Sequence, residues 1–265
     1  MKQNIVNFLR KAGLIFIIDY ARYAVIRIKN KNRNEQFLKN HPDESFPPHY
    51  MIYETFRLDY ERFYISGEGT AQWIVDEISR FKKIEHYTIL DWGCGPGRVC
   101  RHLPKLLPAN VAIHACDYNE DYVNWCSSNI KNVSFKKNQL DPPLPYNDEQ
   151  MDIVYGLSIF THLSEIKHTE WVDELLRVLK PGGILFITTH GNITRENLTV
   201  KEKELFEEGQ LVVRANVKEG HRMYVAYQPE TFMHSLFSGK AKILLHTPGT
   251  KQSWGLQQDL WIVEK

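Results

Sequence analysis

The chain has 265 residues, of which 43% are hydrophobic and 25% are charged. This balance is typical of an ordinary globular protein with one sizeable core, and it excludes a disordered or fibrous chain. The 33 basic and 32 acidic residues give a formal net charge of +1, so the chain as a whole lacks the basic surplus expected of a nucleic-acid-binding protein.

Positive charge is concentrated near the start of the chain. Residues 1–33 contain eight basic residues and one acid, Asp19, whereas the other residues carry a net charge of −6. Residues 4–29 repeat apolar side chains at a helical spacing with arginine and lysine opposite, which predicts a basic amphipathic helix. Two interpretations stay open: the helix packs on the main domain, or it attaches the protein to an anionic membrane or a partner.

Residues 1–66 are predicted to form an N-terminal unit. The apolar run 14–18 is too short to span a membrane, so we expect a cytoplasmic protein, with peripheral contact at the inner membrane surface through residues 1–33 as the further alternative. Prolines and aromatic residues in 41–66 predict a linker and a lid. The four cysteines lack a zinc or CxxC spacing, so we expect buried, reduced thiols and no metal site.

From residue 67 onward, predicted helices and strands alternate. The helices cover 70–82, 98–107, 120–129 and 166–179, and the strands cover 87–92, 111–116, 133–137, 151–157 and 184–189. This alternation implies a parallel sheet with right-handed crossovers. A domain over 67–265 is completed by strands at 210–217 and 221–228 with a turn at 218–220, a helix at 229–238, and strands at 241–247 and 258–264, with the insertion at about 192–228.

A glycine-rich segment, Asp91-Trp92-Gly93-Cys94-Gly95-Pro96-Gly97, lies between a predicted strand and a helix, at the edge where parallel sheets bind ligands. Alternate glycines allow the main chain to approach a ligand without Cβ atoms. A dinucleotide fingerprint requires glycine where Arg98 stands, which disfavours nicotinamide cofactors. Asp117 ends the second strand, where a carboxylate accepts hydrogen bonds from both hydroxyls of a ribose. Its alternative role is to cap the following helix.

Four segments in order, ILDWGCGPGR, ACDYNEDYVNWC, MDIVYGLSIFTHL and LLRVLKPGGILFITTHG, resemble the successive motifs of class I S-adenosylmethionine-dependent methyltransferases. The resemblance covers about residues 67–190. It implies an α/β, Rossmann-like open sheet, mainly parallel with an antiparallel C-terminal hairpin and helices on both faces. It also implies S-adenosyl-L-methionine as the cofactor. The FTHL sequence resembles a bacterial branch often found among genes for surface glycans or small metabolites.

The resemblance also implies roles for a set of cofactor-contacting residues: Asp91 at the glycine loop and the methionine ammonium group, Gly93, Gly95 and Gly97 along the methionine moiety, Asp117 at the ribose, Tyr118 on the adenine ring, Asn138 and Gln139 at the adenine amino group, and Leu157 and Ser158 near the sulfonium. The family usually has an acid at the adenine amino group. An amide oxygen still accepts that hydrogen bond, and which of the two amides does so stays open.

Methyl transfer to a hydroxyl benefits from a general base. His162 and His190 are the candidates, and each has an alternative as a packing or turn residue. We expect a methyltransferase that acts on a small-molecule or glycan-linked acceptor, at oxygen. The alternatives are a non-catalytic cofactor-binding scaffold and a nucleic-acid methyltransferase; the acidic body of the chain makes a nucleic-acid acceptor the less favoured prediction.

Overall fold

The computed structural model describes residues 15–215, 217, 219–220, 224–253 and 255–265 of the protein. Three helices precede the sheet: α1 (Ile15–Asn40), α2 (His49–Phe56) and α3 (Tyr60–Ser79). Residues 4–14 of the predicted helix lie outside the described part of the chain. Helix α1 continues well beyond the predicted end at residue 29, because no proline interrupts the chain before Pro42.

The aromatic residues of segment 41–66, which we interpreted as a linker and lid, form a core of their own. Tyr60, Phe63 and Tyr64 are buried and pack with Phe37 of α1. Removing these rings from water stabilises the packing of the first three helices on one another.

The central sheet follows these helices and contains seven strands. They are β1 (Thr88–Trp92), β2 (Ala112–Asp117), β3 (Ser134–Lys137), β4 (Met151–Gly156), β5 (Leu179–Thr189), β8 (Lys242–Thr247) and β11 (Asp259–Glu264). The strand order is β3-β2-β1-β4-β5-β11-β8. Strands β1 to β5 are parallel to one another, and β11 is antiparallel to both of its neighbours. The predicted Rossmann-like, mainly parallel sheet is therefore confirmed.

Helices cover both faces of the sheet. Those after β1 are α4 (Leu103–Leu106), α5 (Glu120–Asn129), α6 (Glu165–Val178), α7 (Val200–Glu207) and α8 (Glu230–Phe237). Neighbouring strand residues point to opposite faces. Leu90 and Val154 pack with α6 and α8 on one face, while Ile89 and Ile153 pack with α3 on the other.

The insertion between β5 and α8 differs from the prediction. Its strands β6 (Val212–Arg214) and β7 (Val225–Tyr227) are much shorter than predicted, and within the described part of the chain they form a separate two-stranded sheet. Lys218 of the predicted turn lies outside the described residues. Helix α7 was not predicted, although Thr199 and Glu202 form a capping box that marks its start.

Three other local features complete the fold. Of the predicted helix over 98–107, only the short helix α4 forms. Pro104 occupies the first turn of α4, where proline is tolerated. The short pair β9 (Lys251–Gln252) and β10 (Gly255–Leu256) was not predicted, because two-residue strands show no periodicity. All four cysteines are buried thiols outside any disulfide. Among the described helices, none is both long and apolar enough to cross a membrane.

Candidate active site

A cleft lies at the edge of the sheet where β1, β2 and β4 end. About 440 Å³ of it is not filled by atoms, its open mouth included. The lining residues are Trp92, Gly93, Asp117, Tyr118, Asn138, Gln139, Leu140, Ile159, His162, Leu163, Trp171 and Gly220. The cleft thus contains Gly93, Asp117, Tyr118, Asn138 and Gln139 of the predicted cofactor set, together with one of the two candidate histidines.

The glycine loop shows why its glycines are required. Gly93, Gly95 and Gly97 all have positive φ angles, of 77°, 53° and 73°, which L side chains rarely adopt. A Cβ atom at Gly93 would overlap the Ile159 side chain, whereas one at Gly95 would meet no atom within 4 Å. Gly93 is therefore fixed by packing, while Gly95 leaves bare main chain facing open space. An open cradle of this kind fits a ligand that approaches the backbone closely.

Asp117 connects this loop to the end of β2. Its Oδ2 accepts a hydrogen bond from the Gly95 N–H and its Oδ1 accepts one from the Asn119 N–H, both at 2.8 Å. Burial raises the pKa of Asp117 to about 6, although these N–H groups favour the charged form. Each carboxylate oxygen can accept a further hydrogen bond, so the group fits a pair of ligand hydroxyls. Helix α5 is capped instead by the Asn119 side chain, which accepts from the Asp121 N–H.

Asp91 occupies a different environment. It is buried but does not line the cleft. Loss of water raises the pKa of Asp91 to about 7, and the neighbouring Tyr155 and Cys100 side chains offset only part of this effect. Asp91 therefore lies in the protein interior next to the loop, and its carboxyl group titrates near neutral pH.

Another residue of the cleft lining, Asn138, carries an acceptor without a partner among the described residues. The Oδ1 atom of Asn138 is buried and has no hydrogen-bond partner among the described residues, while its Nδ2 donates to the Gln139 carbonyl at 2.6 Å. Buried polar atoms are seldom left unpaired, so this oxygen fits a donor on a bound ligand, such as the amino group of adenine. The Tyr118 ring lies alongside and is about half exposed. The residues present therefore fit an adenosyl group.

The two candidate histidines differ in position. His162 lines the cleft, and its Nδ1 lies 2.7 Å from the Tyr224 carbonyl oxygen. Because a carbonyl only accepts, Nδ1 carries the proton, and in the neutral ring the lone pair is on Nε2. His190 does not line the cleft; its Nδ1 donates to the Ala226 carbonyl at 3.1 Å. Burial lowers the pKa of His190 to about 4.

Part of the insertion closes the cleft, which the sequence did not predict. The Gly220 N–H donates to the His162 carbonyl at 3.0 Å, and the Gly220 carbonyl accepts from the Tyr118 hydroxyl at 3.2 Å. The Glu219 carboxylate accepts from the Ser164 N–H at the start of α6. No residue of 41–66 is among the described residues that line the cleft. The contacts that cover the cleft therefore come from residues 219–220. The sequence predicted a turn at 218–220 but not its position over the cleft.

Leu157 and Ser158 also lie outside the cleft lining. Ser158 has a φ angle of 64°, and its N–H donates to Thr188 Oγ1 at 2.9 Å. Gln258, far along the chain, accepts from that threonine hydroxyl at 2.7 Å and donates to Ser158 Oγ at 2.7 Å. This closed ring of hydrogen bonds fixes the turn after β4, where the left-handed backbone would otherwise be costly. The cleft is lined instead by the apolar residues Ile159, Leu163 and Trp171, which the sequence analysis did not predict as site residues.

Residues 89–183 match the family model described as a methyltransferase domain. The chain is 27% identical over 166 residues to a tRNA N(3)-cytidine methyltransferase of Danio rerio, covering 57% of this chain and 44% of that protein. It is 30% identical over 123 residues to a malonyl-[acyl-carrier protein] O-methyltransferase of Halalkalibacterium halodurans, covering 44% of each. Among solved structures, an S-adenosylmethionine-dependent methyltransferase from Mesorhizobium loti superposes with a TM-score of 0.57 at 14% identity, covering 75% of this chain and all of that one.

Residues 89–183 are thus similar in sequence to a methyltransferase domain, and the seven-stranded sheet has the fold of a solved S-adenosylmethionine-dependent methyltransferase. The cofactor that the four motifs and these relatives imply is S-adenosyl-L-methionine. The chain spans between 40% and 64% of the length of the first three curated relatives, so the matches extend over a part of those proteins.

Gly220→Ala is expected to weaken cofactor binding. An added Cβ would lie 2.5 Å from Leu140 Cδ1 in the cleft wall. Gly239 is a matched control, because its φ of 71° is close to the 79° of Gly220 but a Cβ there meets no atom within 4 Å. We expect the affinity for S-adenosylhomocysteine, measured by calorimetry, to fall on the order of tenfold for Gly220→Ala, in line with typical overpacking costs. Equal affinities in Gly220→Ala and Gly239→Ala would contradict this role.

Asp91→Asn is expected to change the pH dependence of stability. The folded protein retains a proton on Asp91 that the unfolded chain loses between about pH 4 and pH 7, so the free energy of unfolding falls as pH rises through this window. The variant lacks this titration. Between about pH 4 and pH 7, the variant should lose less stability than the wild type by a few kcal/mol, measured by denaturant unfolding. Asp43 is exposed, so the stability of Asp43→Asn is expected to depend on pH as that of the wild type does. If Asp91→Asn and Asp43→Asn show the same pH dependence, burial of Asp91 does not cause the effect.

Proposed function

We propose that the protein transfers the methyl group of S-adenosyl-L-methionine to a hydroxyl oxygen of a small-molecule or glycan-linked acceptor. The observation that supports this proposal most directly is that His162 lines the same cleft as Asp117 and Asn138. His162 can accept a proton, and Asp117 and Asn138 suit an adenosyl group. All three therefore face a cofactor and an acceptor that bind side by side in this cleft.

In this proposal the cofactor is held at both ends of its adenosyl group. Asp117 accepts hydrogen bonds from the ribose hydroxyls, the Asn138 oxygen accepts one from the adenine amino group, and Tyr118 packs on the ring. The bare main chain at Gly95, next to Gly93 in the cleft wall, receives the methionine part. When bound, the cofactor supplies a methyl group already activated by its positive sulfur. The chain's own task is then to align the acceptor and exclude water.

His162 is the proposed general base. Its Nδ1–H donates to the Tyr224 carbonyl, which orients the ring and leaves the lone pair on Nε2 to take the acceptor hydroxyl proton. His190 is supported less well as a base, because it lies outside the cleft lining and its pKa of about 4 makes it a weak proton acceptor at neutral pH.

The walls of the cleft support a compact acceptor. Ile159, Leu163 and Trp171 supply apolar surface, and the contacts of residues 219–220 reduce its opening. O-methyltransferases acting on small or carrier-bound acceptors are among the relatives. The FTHL sequence at residues 160–163 also resembles a bacterial branch associated with surface glycans or small metabolites, which agrees with this acceptor class.

A nucleic-acid acceptor is the second candidate, since the first three relatives are tRNA methyltransferases. It would require cations around the cleft mouth, yet the chain outside residues 1–33 carries a net charge of −6. A cofactor-binding scaffold without turnover is the third alternative.

Transfer of labelled methyl groups from S-adenosyl-L-methionine to fractionated bacterial extract tests the three candidates. We expect label in the small-molecule or glycan fraction, lost in Asp117→Asn and retained in the exposed control Asp121→Asn. Label in the RNA fraction would favour the second candidate. Cofactor binding without any labelled product would favour the scaffold.

His162→Gln is expected to lower kcat by on the order of 100-fold, the usual contribution of a general base, with little change in KM for the cofactor. His190→Gln is the matched comparison and should keep kcat near the wild-type value. If kcat falls in His190→Gln and stays at the wild-type value in His162→Gln, the two histidines exchange roles.

A further inference from the structure

Helix α1 has a well-defined inner face. Tyr23 and Ile26 pack on the aromatic core of the N-terminal unit, and Asn34 donates to the Leu58 carbonyl at 2.9 Å. Asp19 also belongs to this face, because its Oδ1 accepts a hydrogen bond from the Tyr53 hydroxyl at 2.7 Å. The one acid of residues 1–33 is therefore directed toward the protein.

The outer face of α1 combines apolar and basic side chains without an acid between residues 20 and 33. With 3.6 residues per turn, the centre of the face is formed by an apolar strip. The exposed residues of this strip are Ala21, Ala24, Val25 and Ile28. Val25 is 64% exposed and Ile28 is 77% exposed, which is unusual for such side chains.

Exposed cations flank the strip on both sides. Arg22 and Lys29 lie along one side, and Arg27 and Lys31 lie along the other. Glu35 follows the strip further along the helix, and its Oε1 lies 4.0 Å from Lys31 Nζ. An apolar strip between two rows of cations is the arrangement with which a helix lies in the plane of a membrane, its apolar side chains among the acyl chains and its cations at the headgroups.

A groove lies on the second flank. Its lining residues include Tyr20, Arg27 and Lys31, together with His49 and the acid Glu35. Burial and the nearby Arg27 guanidinium lower the pKa of His49, which disfavours its charged form, so the cations of the groove are Arg27 and Lys31. These two cations and the Tyr20 ring suit the phosphate groups of a bilayer surface.

We propose that the outer face of α1 docks the protein on the surface of an anionic phospholipid bilayer. The cations beside the strip are complementary to the phosphates and anionic headgroups. The exposed Val25 and Ile28 insert between the headgroups and reach the acyl chains. A nucleic acid would match the cations but not the strip, because phosphates gain nothing from apolar side chains at the centre of the contact.

Sedimentation of the full chain with vesicles tests this proposal. The vesicles are phosphatidylcholine with or without phosphatidylglycerol. We expect binding to the anionic vesicles that weakens with salt, and little binding to phosphatidylcholine alone. Replacing Arg22 and Lys29 by Gln should lower partitioning roughly 25-fold, about fivefold for each cation. Val25→Ser with Ile28→Ser should lower it at least tenfold, since two apolar side chains lose their buried environment.

Matched controls come from other exposed positions. Val200 of α7 is 77% exposed, so Val200→Ser tests for a general effect of removing surface valine. Lys83→Gln tests for a general effect of charge. Both should bind like the wild type, and all variants should keep the wild-type melting temperature. Absence of binding to anionic vesicles overturns the proposal. The proposal is also overturned if the protein binds polyuridylate more tightly than vesicles and the Val25 and Ile28 substitutions leave that binding unchanged.

Discussion

The buried carboxylate of Asp117 is the interaction on which the cleft depends. It is the point where the end of β2, the glycine loop after β1 and the start of α5 meet, through hydrogen bonds from the Gly95 and Asn119 main chain. Burial makes the charged form costly, as the raised pKa of Asp117 records. Oriented N–H groups lower that cost without using every lone pair of the carboxylate. The same arrangement therefore holds the loop in place and leaves acceptor capacity for a ligand.

The N-terminal unit is connected to this region through arginines. Arg98, which stands where a dinucleotide site requires glycine, donates from Nη1 to the Ser66 carbonyl and the Thr70 hydroxyl of α3. Arg101 donates to the Ser45 carbonyl and lies over the Phe63 ring. The segment after the glycine loop is thus fixed by helices that precede the sheet. Their aromatic core positions the loop from outside the cleft and leaves one face of α1 exposed.

Much of the fold followed from the sequence because strands and helices differ in the period of their apolar residues. The runs 87–92 and 151–157 gave β1 and β4 nearly to the residue, and parallel strand ends necessarily meet at one edge. That is why Gly93, Asp117 and Asn138, 45 positions apart at most, were expected together and line one cleft. The prediction of one helix over 98–107 was wrong because Pro104 disfavours a helix through the residues before it, so only the short helix α4 forms.

By itself, the sequence determined the alternating sheet, the glycine loop with its carboxylate, and the basic character of the first helix, because each is carried by residues close together in the chain. Only the tertiary structure decided that Asp91 lies outside the cleft, that His162 lines it while His190 does not, and that Gly220 rather than the aromatic segment closes it. The bond from Tyr118 to Gly220 joins residues 102 positions apart. Such contacts are set by how whole elements pack, which no local pattern of residues encodes.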